Sequence, residues 1–443
     1  MKGGIRCALT LAVALVAGAT MGGRPRAATS LLLVTLDTTR ADRLPMYGYT
    51  SVDAPALSRL AATGVVFDQA VAVAPLTLPT HTSLLTGLYP PHHGVRDNAD
   101  APLPVAVPTL ATILRARGLR TAAFVGSAVL AADRGLARGF DVYDDAVDPG
   151  NRRRPGNDVV DRALAWLRQD GRAPFFLWVH LYDAHAVQRL PADYRRRYGD
   201  TYDGGVAFAA AEAGRLLGAI EADGLGPSTA VIVAGDHGES LGDHGEDEHG
   251  VFVYDAVLRV PLIVRAPGLP PGRVHEPVSQ VDVLPTALSL LGVPFAAGDG
   301  VSLAQGQGRA RPRLDRPVYA ESLYPRRFGW SALRVLRDDR FKYIDAPRPE
   351  LYDLLEDPLE TVDVSAERAG TASAMRRALG TAVVEWPPVQ SANATRERDD
   401  PELRARLGAL GYVGFGPAPA TASGIDPKDV IRSYNESRRN LAR

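Results

Sequence analysis

The chain has 443 residues, with 50 lysines and arginines against 51 aspartates and glutamates, a formal charge of −1 and 46% hydrophobic residues. That balance excludes a disordered tail protein, a collagen-like chain and a basic nucleic-acid binder, so no nucleic-acid partner is expected. The length suits two or three domains or one large α/β domain, and the single cysteine, Cys7, leaves oxygen and imidazole to carry any chemistry.

Residues 1–19 read as a signal peptide: Lys2 and Arg6, an apolar run from Cys7 to Val16, then Ala17-Gly18-Ala19, a pattern that suits signal peptidase. The run is shorter than the roughly 20 apolar residues of a membrane span. The expectation is a secreted or periplasmic protein with no stable membrane span; the sequence leaves its oligomeric state unknown.

Along the rest of the chain, apolar runs at Ser30–Leu36, Leu119–Val125, Pro174–Leu181, Thr229–Ala234 and Pro261–Val264 predict strands. Helical patterns at Ala54–Ala62, Val107–Arg117, Asn157–Gln169, Val206–Ala222 and Val281–Leu291 fall between or after them. The alternation predicts an α/β fold with a mostly parallel sheet covered by helices on both faces, and ligands then belong at the carboxyl ends of the strands. Beyond Pro312, Val318–Glu321, Ser331–Leu336 and Phe341–Ile344 read as antiparallel strands of a smaller α+β unit. A Pro/Ala/Gly-rich linker at Phe415–Gly424 leads to a last helix, Lys428–Arg443, capped by Asp426 and Pro427. Its apolar residues Ile431, Tyr434 and Leu441 share one side, and the preferred reading is a frayed terminal helix.

Eight of the nine histidines fall in three groups: His81, His92 and His93; His180 and His185; His237, His244 and His249. Asp37 emerges from a buried apolar run, and Asp236 with His237 repeats the arrangement after another strand. Hard oxygen and imidazole donors from two strand ends suit a divalent metal ion (Ca, Mn, Mg or Zn) without choosing among them. Thr77, ahead of Pro79 and the helical run Thr82–Gly87, belongs at a helix N-terminus, where the backbone dipole favours an alkoxide or a bound anion. An ordinary threonine cap competes with that reading. His81 reads as a surface imidazole or as a donor that orients Thr77. His185, with Asp183 two residues earlier on the same side of an extended chain, suits a general acid. His180, inside its strand, reads as a satisfied core residue. His249 reads as a ligand of a second metal, a contact to a substrate oxygen or a residue of an acidic loop.

Asp37, the stretch from Thr77 to Val95, HLYDAH at 180–185, AGDHGESLGDHGE at 234–246 and KYIDAPRPELYDLLEDPLE at 342–360 together resemble the sulfatase family of the alkaline-phosphatase-like superfamily. The resemblance spans about Ser30 to Glu385. It implies an alkaline-phosphatase-like catalytic domain over 29–312, an α+β subdomain over 313–390 and a tail over 391–443. It also implies metal ligation by Asp37, Thr77, Asp236 and His237, with Thr77 as nucleophile and His185, His81 and His249 as further catalytic residues. Sulfatases carry C/S-x-P-x-R, whose first residue becomes formylglycine; here the element is Thr77-Leu78-Pro79-Thr80-His81, and threonine cannot form that aldehyde. Thr38 stands at the family's usual second aspartate, Ser127 where a sulfate-contacting lysine is common, and Gly205 and Ala210 where relatives often have acids. The resemblance therefore implies a metal-dependent hydrolase of sulfate or phosphate esters acting on a small-molecule or glycan ester. The alternatives are a phosphodiesterase or phosphoryl-type transferase acting on glycan or lipid and, in another class, a catalytically idle anionic-glycan-binding module.

Overall fold

The computed structural model describes residues 27–147, 153–170, 174–185, 187, 190–295, 298–304, 316–385 and 424–441. The expected signal peptide, most of the expected linker and the boundary expected at Pro312 lie outside the described residues. In chain order the strands are β1 Ser30–Leu36, β2 Val65–Phe67, β3 Ala70–Val71, β4 Arg120–Val125, β5 Val142–Asp144, β6 Phe175–Leu181, β7 Thr229–Gly235, β8 Arg259–Val260, β9 Leu262–Arg265, β10 Gly272–Val274, β11 Val278–Ser279, β12 Val318–Ser322, β13 Leu333–Arg337, β14 Phe341–Asp345 and β15 Glu350–Asp353. The α-helices are α1 Pro55–Thr63, α2 Thr77–Thr86, α3 Pro90–His93, α4 Leu110–Arg115, α5 Gly156–Asp170, α6 Ala192–Tyr198, α7 Tyr202–Ala222, α8 Asp255–Leu258, α9 Val283–Leu290, α10 Ala369–Glu385 and α11 Pro427–Leu441.

The main sheet has eight strands in the order β10-β2-β9-β7-β1-β6-β4-β5. From β7 to β5 every pairing is parallel, while β9 pairs antiparallel with both β7 and β2. All seven residues of β1 are buried, as expected of a central parallel strand covered on both faces. Leu31 and Leu33 enter one core with α2, α4 and α9; Leu32, Val34 and Leu36 enter the other with α1, α5 and α7. Among the described residues no helix is long and apolar enough to cross a membrane.

The antiparallel strands expected after Pro312 form a four-stranded sheet, β12-β13-β14-β15. Met375 and Leu379 of α10 pack on its Tyr343, Leu336 and Leu351, and Val73, Tyr89 and Val281 of the larger body join the same cluster. The expected helix over Val107–Arg117 is shorter, because Thr109 and Thr112 form a reciprocal cap that starts it at Leu110.

Candidate active site

β1 lies between β6 and β7 with Leu36 opposite both Leu181 and Gly235, so the residues that follow the three strands converge at one edge of the sheet. Asp37 and Asp236 leave that edge side by side, both fully buried. The Asp236 Oδ1 atom accepts from the backbone N–H groups of His237 (2.6 Å) and Thr38 (2.9 Å). Thr38 has a left-handed φ of 48°, an uncommon conformation for a β-branched residue. The Tyr202 hydroxyl holds this turn by donating to the Thr38 carbonyl (2.6 Å) and accepting from the Arg40 amide (2.9 Å).

Thr77 opens α2, so the helix begins five residues before the run expected at Thr82. The cap position belongs to Leu76, which has no side-chain cap bond, and the reading of Thr77 as an ordinary cap is corrected. Instead, its Oγ1 lies 3.3 Å from His237 Nε2. The remaining threonines of the turn bond backward along the helix, and the Asn98 side chain accepts from the Leu78 amide, satisfying a first-turn donor. The positive end of the α2 dipole thus opens on the two aspartates.

Each imidazole is fixed by what it bonds. His237 gives Nδ1–H to the Gly238 carbonyl (2.9 Å), which turns the Nε2 lone pair toward Thr77 and Asp236. His81 is buried, which rules out the surface reading; its Nδ1–H donates to the Thr77 carbonyl (2.8 Å). Trp178 Nε1–H donates to Thr35, whose hydroxyl then faces His81 Nε2, each at 3.0 Å. His81 therefore orients the backbone that carries Thr77. His180, read in the sequence as an ordinary core residue, is corrected: its Nε2 lies 3.0 Å from Asp37 Oδ2.

His249 gives Nδ1–H to the Pro75 carbonyl (3.0 Å), and its Nε2 lies 3.1 Å from His185 Nε2. Its ring is 4.3 Å from that of His237, while His185 stacks on Tyr182. Burial pushes His81 and His185 down to about 3 and His180 down to about 4, and holds His249 well below the usual range with help from His237 and His185. These four rings are neutral at neutral pH.

Asp183 departs from the expectation of a face shared with His185. The chain turns there, and Asp183 accepts from the Gly156 amide (2.9 Å) at the start of α5. Ser127 is buried and accepts from the Val129 amide as a local cap. At Gly205 an added Cβ would lie 2.6 Å from the Asp183 carbonyl oxygen and 2.7 Å from Ala184 Cα, so the close approach of α7 excludes a side chain.

Asp37 Oδ1, Thr38 Oγ1 and Asp236 Oδ2 are buried without hydrogen-bond partners. Burial pushes Asp37 up to about 7 and raises Asp236, to which the nearby Asp37 charge adds. Donor atoms of Asp37, Asp236 and His237 cluster within 4.8 Å, as do those of His81, His180 and Asp236. Unsatisfied carboxylate oxygens beside an imidazole lone pair are costly alone and fit a divalent cation. In the second group His81 commits its Nδ1–H to a carbonyl, which leaves the first group as the better cage.

The family model for sulfatases matches residues 29–293, more than half of the chain, and the protein belongs to the sulfatase family. It is 23% identical over 400 residues to a delta 4,5-hexuronate-2-O-sulfatase of Bacteroides thetaiotaomicron, covering 72% of this chain and 81% of that protein. It is 27% identical over 370 residues to an ulvan-active sulfatase of Formosa agariphila, covering 71% and 72%. A phosphonate monoester hydrolase of Agrobacterium radiobacter superposes with a TM-score of 0.70 at 22% identity, covering 81% of this chain and 96% of that one. A protein solved with its substrate D-glucosamine-2-N,6-O-disulfate superposes at 0.68 with 18% identity, covering 85% and 100%. The fold is that of the sulfatases, with hydrolases of phosphonate monoesters among its structural neighbours.

Proposed function

We propose that this sulfatase-family enzyme is a metal-dependent hydrolase of sulfate or phosphate esters in which Thr77 is the nucleophile. The carrying observation is the position of the Thr77 hydroxyl, 3.3 Å from His237 Nε2 and at the N-terminus of α2, beside two carboxylates with unpartnered oxygens. Asp37, Asp236, His237 and Thr77 would hold the divalent ion. When bound, it lowers the pKa of the threonine hydroxyl and offsets charge on the ester oxygens.

The Thr77 hydroxyl releases its proton to solvent, its oxygen attacks sulfur or phosphorus in line, the bond to the leaving oxygen breaks, and water later cleaves the Thr77 ester. On binding of the anionic ester His185 takes up a second proton from solvent, and as imidazolium it hands a proton to the departing oxygen while His249 holds the ring in place. The α2 dipole favours the anionic ester. Sulfated-glycan enzymes among the relatives support a glycan ester as substrate. The Thr77-x-Pro-x-His81 element, which has no formylglycine precursor, favours testing phosphate diesters beside sulfate esters. A secreted or periplasmic location, suggested by residues 1–19, suits such a substrate.

The test is metal analysis of purified protein with a screen of sulfate monoesters, phosphate monoesters and phosphate diesters, run beside Thr77→Ala. The variant is expected to fold and to lose turnover. Undiminished activity would remove Thr77 from the mechanism.

A further inference from the structure

Helix α11 lies beyond the span of the family match, yet its side chains end on the loop that carries His249. It is no frayed terminus, since Ile431 and Tyr434 are buried. The Tyr434 hydroxyl lies 3.1 Å from that of Tyr324, and its ring packs on Phe328 and Trp330.

From this seat Asn435 Nδ2 donates to the Gly245 carbonyl (2.7 Å), Arg438 pairs with Glu248 (2.6 Å), and Arg439 grips Asp247 at 2.6 and 2.7 Å. All three contacts fall on the four residues before His249. A cavity of about 110 Å³ separates helix and loop, with His249 on one wall and Arg438 on the other. The loop is unusual: Leu241, Gly242, His244 and Gly245 have φ of 55°, 93°, 52° and 83°, two of them at non-glycine residues. Such a backbone persists only where surrounding contacts hold it. Inside the loop, Ser240 and Gly242 amides bond to the Glu248 and Glu246 carbonyls, which fixes its shape, while α11 fixes its outer edge.

We propose that Asn435 and Arg438 are positioning residues of the active site: the terminal helix holds Gly245–Glu248 so that His249 keeps its imidazole against His185. This rests on the assignment of that imidazole pair to leaving-group protonation. A hydrogen bond between two rings tolerates only a few tenths of an ångström of displacement, so a loosened loop removes the pair's alignment while leaving Thr77 and the aspartates in place.

The full chain with Asn435→Ala, Arg438→Met or Arg438→Lys would be assayed on a nitrophenyl ester, whose leaving group needs no proton, and on an ester of a simple alcohol. Hydrogen exchange of amides 241–249 would be read in the same proteins. For Asn435→Ala and Arg438→Met the expected result is a loss of about tenfold in kcat/KM on the alkyl ester and less than about twofold on the nitrophenyl ester. Loop exchange should rise about tenfold, with lysine restoring most of both. Equal losses on the two esters would reduce α11 to a stability element and overturn the proposal, as would unchanged loop exchange. If the unaltered enzyme cleaves neither ester, the hydrolase reading fails, and the exchange result alone decides the role of the helix.

Discussion

The Nε2 atoms of His185 and His249 lie 3.1 Å apart, and His249 already donates its Nδ1–H to Pro75. In the neutral pair the shared proton therefore sits on His185. Replacing His185 by alanine should lower kcat on esters of poorly acidic alcohols by about 10²–10⁴, with a much smaller effect on nitrophenyl esters. A uniform loss across leaving groups would assign His185 to binding.

The unpartnered oxygens of Asp37 and Asp236 make the metal-free site a source of instability. Adding a binding divalent ion at about a hundred times its Kd should stabilise the fold by about 2.7 kcal/mol. Asp37→Asn removes one of two adjacent buried carboxylates, so the metal-free variant should melt higher than the metal-free parent and lose the response to added ion. Thermal melts with and without chelator check both; a retained response would move the ion's site away from Asp37.

At Gly205, alanine would press on the backbone of Asp183 and Ala184, immediately before His185. Overpacking of this kind costs about 1–3 kcal/mol. The expected outcome for Gly205→Ala is lower stability in urea together with reduced turnover on alkyl esters. Unchanged values on both counts would show that α7 yields at this point.

Asp255 ties α8 to the four-stranded sheet electrostatically: Arg337 donates to it twice, at 2.9 and 2.7 Å, and Lys342 once, at 2.9 Å. The Arg337 and Lys342 charges outweigh burial and hold its carboxyl below the usual aspartate range. A depressed folded pKa contributes stability that is complete above the unfolded value near 4 and fades as pH falls through it. Acid unfolding of the parent should therefore lose this contribution below about pH 4, whereas Asp255→Asn should be less stable at neutral pH and show a shallower acid limb. Parallel acid limbs in the two proteins would contradict the pairing.

Much of the fold was legible because the four long strands β1, β4, β6 and β7 are buried almost throughout, and an unbroken apolar run cannot hide. The same logic exposed Asp37 and Asp236, since a carboxylate ending such a run has no structural reason to be there. His180 escaped because a strand residue facing a neighbour's end looks in sequence like any core histidine; only the pairing of β1 with β6 brings it to Asp37. Tyr202 escaped for a related reason: its partner is the carbonyl of Thr38, and backbone acceptors carry no signature. The strands of two to four residues at β2, β3, β8, β10, β11 and β15 are too short to show a period. Helix α10 has only a weak apolar stripe, because its core contacts are few.

The parallel pairing that sets Leu36 against Gly235 joins strands far apart along the chain. A growing polypeptide exposes Asp37 long before Asp236 has been made, and the two carboxylates become neighbours only when β7 zips onto β1. Until then the chain presents no chelate, so under the proposed metal-dependent reading ion uptake would report the pairing of β7 with β1, and half-finished molecules would sequester no cation through this site.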